Sequence, residues 1–128
     1  MNESQVTKDR LDLRERTKGF AVRVIRLFSA LPKTAEAQVI GRQLLRSGTS
    51  VGAQYREAGR SRSRAEFISK VESALQELDE SIYWMELLVE AGIVASDRLA
   101  DLLTEANELT AIFVASAKTA RKRLNAER

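Results

Sequence analysis

The sequence has 128 residues, the usual length of one domain, and its 44% apolar and 30% charged residues are typical of a folded chain rather than a disordered one. It contains no cysteine and no histidine, which excludes disulfides, zinc–thiolate sites and imidazole bases. No apolar run approaches the ~18 residues that span a bilayer. Residues 1–16 lack an apolar signal-peptide core, so we expect a cytoplasmic protein that does not contact membranes.

The net charge of +3 is unevenly distributed along the chain. Residues 34–65 carry six Lys or Arg and two Asp or Glu, whereas residues 66–96 carry one and seven. An excess of positive charge favours a polyanionic partner such as nucleic acid, but segments of opposite charge can also pair with each other. Both interpretations of the basic segment stay open at this point.

Few helix-breaking residues interrupt the chain, which predicts long helices. The first helix spans about 11–30, follows a flexible segment at residues 1–10, and is stopped by Pro32, the only proline. The second spans about 35–59, and Thr34 is placed to cap its N-terminus.

The third helix has the clearest start and end of the four. Ser63 and Glu66 fit a capping box, which predicts a helix over about 64–91, and Gly92 suits the C-terminal cap. A fourth apolar stripe predicts a helix over about 97–124.

These elements predict an all-α protein of one domain over residues 11–128. Because the connections are short, neighbouring helices should run antiparallel in an up-and-down four-helix bundle. Bundles of this kind can hold di-iron sites through Glu-x-x-His pairs, which a chain without histidine cannot supply. We therefore predict no enzyme activity, no metal, no cofactor and no small-molecule substrate.

The second helix contains four glycines within about 40° of one another at 100° per residue: Gly41, Gly48, Gly52 and Gly59. Each interior glycine costs roughly 1 kcal/mol relative to alanine, so a compensating contact is expected. The strip packs either against another helix of the same bundle or against another subunit. A phosphate-binding loop is excluded because no strand precedes the glycines.

The third helix is apolar on nearly every side between Ile82 and Val89. A helix of a small bundle buries one face, so an all-round apolar segment predicts a second contact. Either the connecting loops cover these side chains or copies of the chain associate, and we favour self-association. The predicted subunit interface consists of Gly41, Gly48, Gly52, Tyr83, Trp84, Leu87 and Leu88.

A row of arginines occupies one side of the second helix and continues into the next turn: Arg42, Arg46, Arg56, Arg60, Arg62 and Arg64. Such a row can follow a phosphate backbone, so these residues form the candidate nucleic-acid site. Alternatively, they pair with acidic side chains of the third helix: Glu72, Glu77, Asp79, Glu80 and Glu86. Only Tyr55 is near enough to stack on a base, so contacts to phosphates are expected.

The segment Ser50–Ala58 reads Ser-Val-Gly-Ala-Gln-Tyr-Arg-Glu-Ala, and it is followed by Ala-Glu-Phe-Ile at 65–68 and Trp-Met-Glu-Leu-Leu at 84–88. These motifs resemble the bacterial four-helix-bundle family of 23S rRNA intervening-sequence proteins, over roughly residues 11–118. The family usually has Asn where this chain has Gln54, a difference that alters a local hydrogen bond rather than the fold.

The resemblance implies a ring-shaped homopentamer and a distant likeness to the accessory protein of diversity-generating retroelements, a basic pentamer that binds nucleic acid and a reverse transcriptase. It supplies no catalytic residues. We therefore expect a non-enzymatic homo-oligomer that binds RNA or DNA through the second helix. The alternative is a protein-interaction scaffold or mobile-element accessory protein with no direct nucleic-acid role.

Overall fold

The chain folds into four packed α-helices. The computed structural model describes residues 3–128, with side chains from residue 12 onwards. The helices are α1 (Glu3–Ala30), α2 (Ala35–Gly59), α3 (Arg64–Glu90) and α4 (Ser96–Ala126). α2 packs between α1 and α3, and α3 also packs against α4. Residues 3–128 contain no strand, and none of the helices is both long enough and apolar enough to cross a bilayer over these residues.

The N-termini of α2 and α3 are capped by the side chains that the sequence indicates. Thr34 Oγ1 accepts a hydrogen bond from the backbone N–H of Ala37 at 3.4 Å, and Ser63 Oγ accepts one from that of Glu66 at 3.1 Å. The Glu66 carboxylate, however, accepts from the backbone N–H of Arg62 at 3.2 Å. In the standard capping box this carboxylate accepts from the N–H of the N-cap residue, which is Ser63, whereas here it accepts from the residue before Ser63.

The C-terminus of α3 is closed by a glycine with a left-handed backbone. Gly92 has φ 73°, which side chains with a Cβ adopt only with strain. This turn lets the N–H of Ile93 donate to the carbonyl of Leu88 at 2.9 Å, and the N–H of Gly92 donate to Val89 at 3.0 Å. Both bonds satisfy carbonyls that the end of a helix leaves without partners.

The start of α1 differs from the prediction, because the helix begins at Glu3 and not near residue 11. The apolar stripe used for the prediction begins only at Leu11, yet no proline or glycine interrupts residues 3–18. A helix continues past its apolar stripe where no breaking residue ends it. Residues 1 and 2 lie outside the described residues, and the flexibility of residues 1–10 stays a prediction.

All four helices contribute to one apolar core. Its largest fully buried side chains include Phe20, Leu44, Leu78, Met85, Leu109 and Phe113. Between α2 and α3 the core also contains a buried hydrogen bond, with the Oγ atoms of Ser47 and Ser81 2.8 Å apart. Ser81 donates to the carbonyl of Glu77, so its oxygen is available to accept from Ser47. This pair fixes the level at which α2 meets α3.

The glycine strip of α2 lies against α1 of the same chain. A Cβ built on Gly48 would lie 2.8 Å from Val24 Cγ2. A Cβ on Gly52 would lie 3.1 Å from Thr17 Oγ1, and one on Gly41 would lie 2.6 Å from a Leu31 methyl. These contacts run in opposite order along the two helices. The assignment of the strip to a subunit interface was therefore wrong at Gly41, Gly48 and Gly52, because side chains of α1 and of Leu31 in the same chain occupy that side.

The close α1–α2 contact predicts opposite effects for two glycine-to-alanine changes. At Gly48 the added methyl overlaps Val24, and overpacking outweighs the gain in helix propensity. We expect Gly48→Ala to lower the free energy of unfolding by about 1 kcal/mol or more. Gly19 is exposed in the middle of α1, with nothing within 4 Å of its Cβ position. Gly19→Ala should therefore raise the free energy of unfolding by ~0.5–1 kcal/mol.

Urea unfolding followed by circular dichroism, at one fixed protein concentration, measures both changes. If Gly48→Ala were as stabilising as Gly19→Ala, the α1–α2 contact would have to be looser than described.

Candidate functional site

The arginines of the candidate nucleic-acid site all lie on the surface, because the opposite side of α2 is buried in the core. Leu44, Val51 and Tyr55 occupy that buried side. All six arginines are exposed: Arg42, Arg46, Arg56, Arg60, Arg62 and Arg64. They nevertheless divide into two groups, according to whether a carboxylate lies beside them.

Arg46 is held by two carboxylates of α3. Its guanidinium lies 3.2 Å from Glu77 Oε2 and 2.9 Å from Glu80 Oε2. The hydrogen bond that Arg46 donates to Glu80 and the negative charge of Glu77 raise the pKa of Arg46. The neighbouring Ser47–Ser81 pair brings these carboxylates to the level of Arg46. Arg46 is therefore not an uncompensated charge, and its assignment to the nucleic-acid site stays a prediction.

Arg64, at the start of α3, also has a partner within the chain. Its guanidinium forms an ion pair with the carboxylate of Glu127, beyond the end of α4. Both side chains are largely exposed, so the pair adds little stability but lowers the local positive charge. Its assignment to the nucleic-acid site likewise stays a prediction.

The other four arginines are named here the open arginines: Arg42, Arg56, Arg60 and Arg62. None of them has an ion pair with a side chain in residues 12–128. Arg42 and Arg60 are 18 residues apart on α2, which corresponds to about 27 Å at the helical rise. The open arginines thus present positive charge along nearly the whole of α2.

The aromatic side chain next to this row is not available to a ligand. Tyr55 is buried, and its ring centroid lies 5.3 Å from that of Phe113 in the core. Base stacking by Tyr55 is therefore excluded. The sequence alone could not decide this point, because it does not show whether the ring is buried. A ligand at this row would therefore meet guanidinium groups and not the ring of Tyr55.

The apolar residues of α3 that were assigned to a subunit interface have different environments. Leu88 is fully buried in the core of the chain, so its assignment to the interface was wrong. Trp84 and Leu87 are half-buried, and Tyr83 is 54% exposed. The rings of Tyr83 and Trp84 meet edge to face, with centroids 5.0 Å apart.

A residue of α2 that the sequence analysis did not select extends this surface. Val39 is 61% exposed, the most exposed large apolar side chain from residue 12 onwards. Val39 lies eight residues before Ser47 on α2, and Leu87 lies six residues after Ser81 on α3. Measured from the Ser47–Ser81 contact, the two residues are therefore at similar heights along their helices. Helical spacing turns both toward the outer side of the α2–α3 contact. We name Val39, Tyr83, Trp84 and Leu87 the apolar patch.

Two buried side-chain atoms have no hydrogen-bond partner within the described part of the chain, Trp84 Nε1 and Gln54 Oε1. Trp84 belongs to the apolar patch, and its indole N–H can only donate. Buried polar groups are nearly always satisfied, so an ordered water or another molecule would have to accept from this N–H.

Acidic side chains do not cluster as a metal site would require in the part of the chain that the structure describes. No group of three or more Asp or Glu there is arranged to hold a metal ion. Instead, α3 carboxylates form ion pairs: Glu72 with Arg121, and Glu77 and Glu80 with Arg46.

Comparison with known proteins agrees with this all-helical architecture. Residues 9–115 match the family described as 23S rRNA-intervening sequence protein. A solved structure of a protein of unknown function from the S23 ribosomal protein family, from Bacteroides thetaiotaomicron, is 33% identical. The match covers 85% of this chain and 97% of that one, with a TM-score of 0.80. No curated protein matches. The chain belongs to the family of 23S rRNA-intervening sequence proteins.

Proposed function

We propose that this protein is a non-enzymatic homo-oligomer that binds the backbone of RNA or DNA through the open arginines of α2. The observation that carries the proposal is a row of exposed guanidinium groups without carboxylate partners in residues 12–128. Guanidinium groups bind phosphate oxygens in bidentate fashion. The family description, which refers to ribosomal RNA, makes RNA the first ligand to test.

We also infer that the helices form an up-and-down antiparallel bundle. Contacts between α2 and α3 run in opposite order, since Ser47 meets Ser81 and Glu57 meets Lys70. The same reversal along α1 and α2 supports it.

Self-association is the second part of the proposal, and it rests on the apolar patch. In a single chain Val39 and Tyr83 are 61% and 54% exposed, beside the half-buried Trp84 and Leu87. A neighbouring copy would remove this surface from water and could supply an acceptor to Trp84 Nε1. The family resemblance implies that five copies form a ring.

A protein-interaction scaffold without a nucleic-acid role is the second candidate. The pairing of Arg46 with Glu77 and Glu80 favours it, because it shows that α3 carboxylates can neutralise part of the arginine row. The two functions predict different behaviour with nucleic acid, so the binding experiment below decides between them.

A charge substitution within the apolar patch should separate the copies. Leu87→Glu places a carboxylate in the proposed interface, where burial without a partner is costly. We expect the wild type to sediment at about five times the chain mass of 14.3 kDa, and Leu87→Glu to sediment as single chains.

The matched control is Val114→Glu, which introduces the same charge at a 51%-exposed valine of α4 outside the patch. It should leave the sedimentation of the wild type unchanged. A wild-type protein that sediments as single chains at micromolar concentration contradicts self-association.

Removal of three open arginines should weaken binding strongly without unfolding the protein. Arg42→Gln, Arg56→Gln and Arg60→Gln together remove three potential phosphate contacts from exposed positions. If each contacts one phosphate, the slope of log affinity against log salt on a DNA duplex should fall by about 2.7. Fluorescence anisotropy with labelled RNA and DNA measures affinity, and circular dichroism should report unchanged helix content.

The control removes the same charge from the exposed end of α4, through Lys118→Gln, Lys122→Gln and Arg123→Gln. This variant should bind like the wild type. Absence of any RNA or DNA binding by the wild type at low salt refutes the nucleic-acid function and leaves the scaffold.

A further inference from the structure

Two cations of α1 lie beside the arginine row of α2. Arg14 and Lys18 are exposed, and neither has an ion pair with a side chain in residues 12–128. Between them in the chain lies Thr17, which is fully buried against the backbone of Gly52. Because that contact has no intervening side chain, the two helix surfaces that flank it are close together.

The register of the contact brings these cations to the level of the α2 arginines. Arg14 is one turn before Thr17, and Arg56 is one turn after Gly52. Since the contacts between the two helices run in opposite order, both steps lead toward the same end of the molecule. Lys18, next to Thr17, lies at the level of Gly52 itself.

Helical geometry turns all of these cations to one side of the contact. Arg14 and Lys18 lie about 60° and 100° round the α1 axis from Thr17. Arg56 and Arg60 lie about 40° and 80° round the α2 axis from Gly52. Right-handed helices that run in opposite directions turn toward the same side of their contact as each chain advances. We name Arg14, Lys18, Arg42, Arg56 and Arg60 the basic face.

Acidic residues of α1 and α2 lie away from this face. From residue 12 onwards the nearest are Glu15 and Glu57, each about 60° further round its own helix than the basic side chains. The Glu57 carboxylate is also engaged by Lys70 of α3, with Nζ 2.8 Å from Oε2. The basic face therefore carries an excess of positive charge from two helices, with five cations against the carboxylates of Glu15 and Glu57 at its borders.

Resting on the proposed function, we propose further that the ligand of this face is a nucleic-acid duplex, held by phosphate contacts from both α1 and α2. A single strand is bound through exposed aromatic rings on which its bases stack. The only exposed aromatic side chain in residues 12–128 is Tyr83, which belongs to the apolar patch on α3. A duplex needs no such rings, and its backbone offers the higher charge density.

The experiment compares duplexes with single strands. Fluorescence anisotropy is measured with labelled RNA and DNA duplexes and with their separated strands, between about 50 and 200 mM salt. The proteins are the full wild-type chain and the variant Arg14→Gln with Lys18→Gln. The matched control is Arg98→Gln with Lys122→Gln, which removes the same charge from exposed positions of α4.

We expect the wild type to bind at least one duplex about tenfold or more tightly than the corresponding single strand. If each α1 cation contacts one phosphate, the Arg14/Lys18 variant should lose about 1.8 from the salt slope on a DNA duplex and at least tenfold in affinity at low salt. The Arg98/Lys122 control should match the wild type. Circular dichroism verifies that both variants fold.

Two results overturn the inference and leave the proposed function intact. One is equal or tighter binding of single strands. The other is an Arg14/Lys18 variant with the wild-type salt slope, while the variant without Arg42, Arg56 and Arg60 loses binding. If the wild type binds neither duplex nor single strand, the proposed function fails as well.

Discussion

The close contact between α1 and α2 is the constraint on which the rest of the molecule depends. Glycine at Gly41, Gly48 and Gly52 costs about 3 kcal/mol in helix propensity. The buried side chains of Leu31, Val24 and Thr17 occupy the space that the three Cβ atoms would take, and dispersion contacts at this short distance offset the cost. A larger residue on either side would move α1 outward and change every surface that α1 shares with α2.

This contact also decides where the positive charge of the chain is neutralised. α2 has α3 on one side and α1 on the other. On the α3 side, Glu77 and Glu80 pair with Arg46, and Glu57 of α2 pairs with Lys70. On the α1 side, by contrast, the flanking residues are Arg14 and Lys18. Pairing within the chain thus accounts for Arg46 on the α3 side, whereas the nucleic-acid interpretation of the α1 side stays a prediction.

Local signals were sufficient to predict most of the fold. Thr34, Ser63 and Gly92 act through hydrogen bonds within a few residues, so the sequence alone identifies where α2 and α3 begin and where α3 ends. What packs against each helix surface was harder to predict. Helical angles assign the glycine strip to one side of α2 without identifying what packs against that side. That neighbour depends on which side chains of α1 are short enough to approach, as Thr17 and Val24 are.

The candidate site shows the same limit, since the pattern of one helix does not reveal which neighbours a surface residue has. Arg42 and Arg46 are one turn apart, both exposed and chemically identical, yet only Arg46 has carboxylates beside it. The difference arises from the level at which α2 meets α3, set by the buried Ser47–Ser81 pair, which no pattern in a single helix contains. Arg14 and Lys18 were missed because they belong to a helix distant in sequence from the arginine row.

The apolar patch and the basic face lie on different edges of α2, which has a consequence for how the two proposed activities combine. The patch follows the α3 side, through Val39, Trp84 and Leu87, whereas the basic face follows the α1 side. Copies that dock through the patch would leave Arg14, Lys18, Arg56 and Arg60 of the basic face open, whereas Arg42 adjoins Val39. An assembly would then present the same face several times, and several weak phosphate contacts on one duplex act at high effective concentration. Self-association would thus strengthen nucleic-acid binding without any further contact within a single chain.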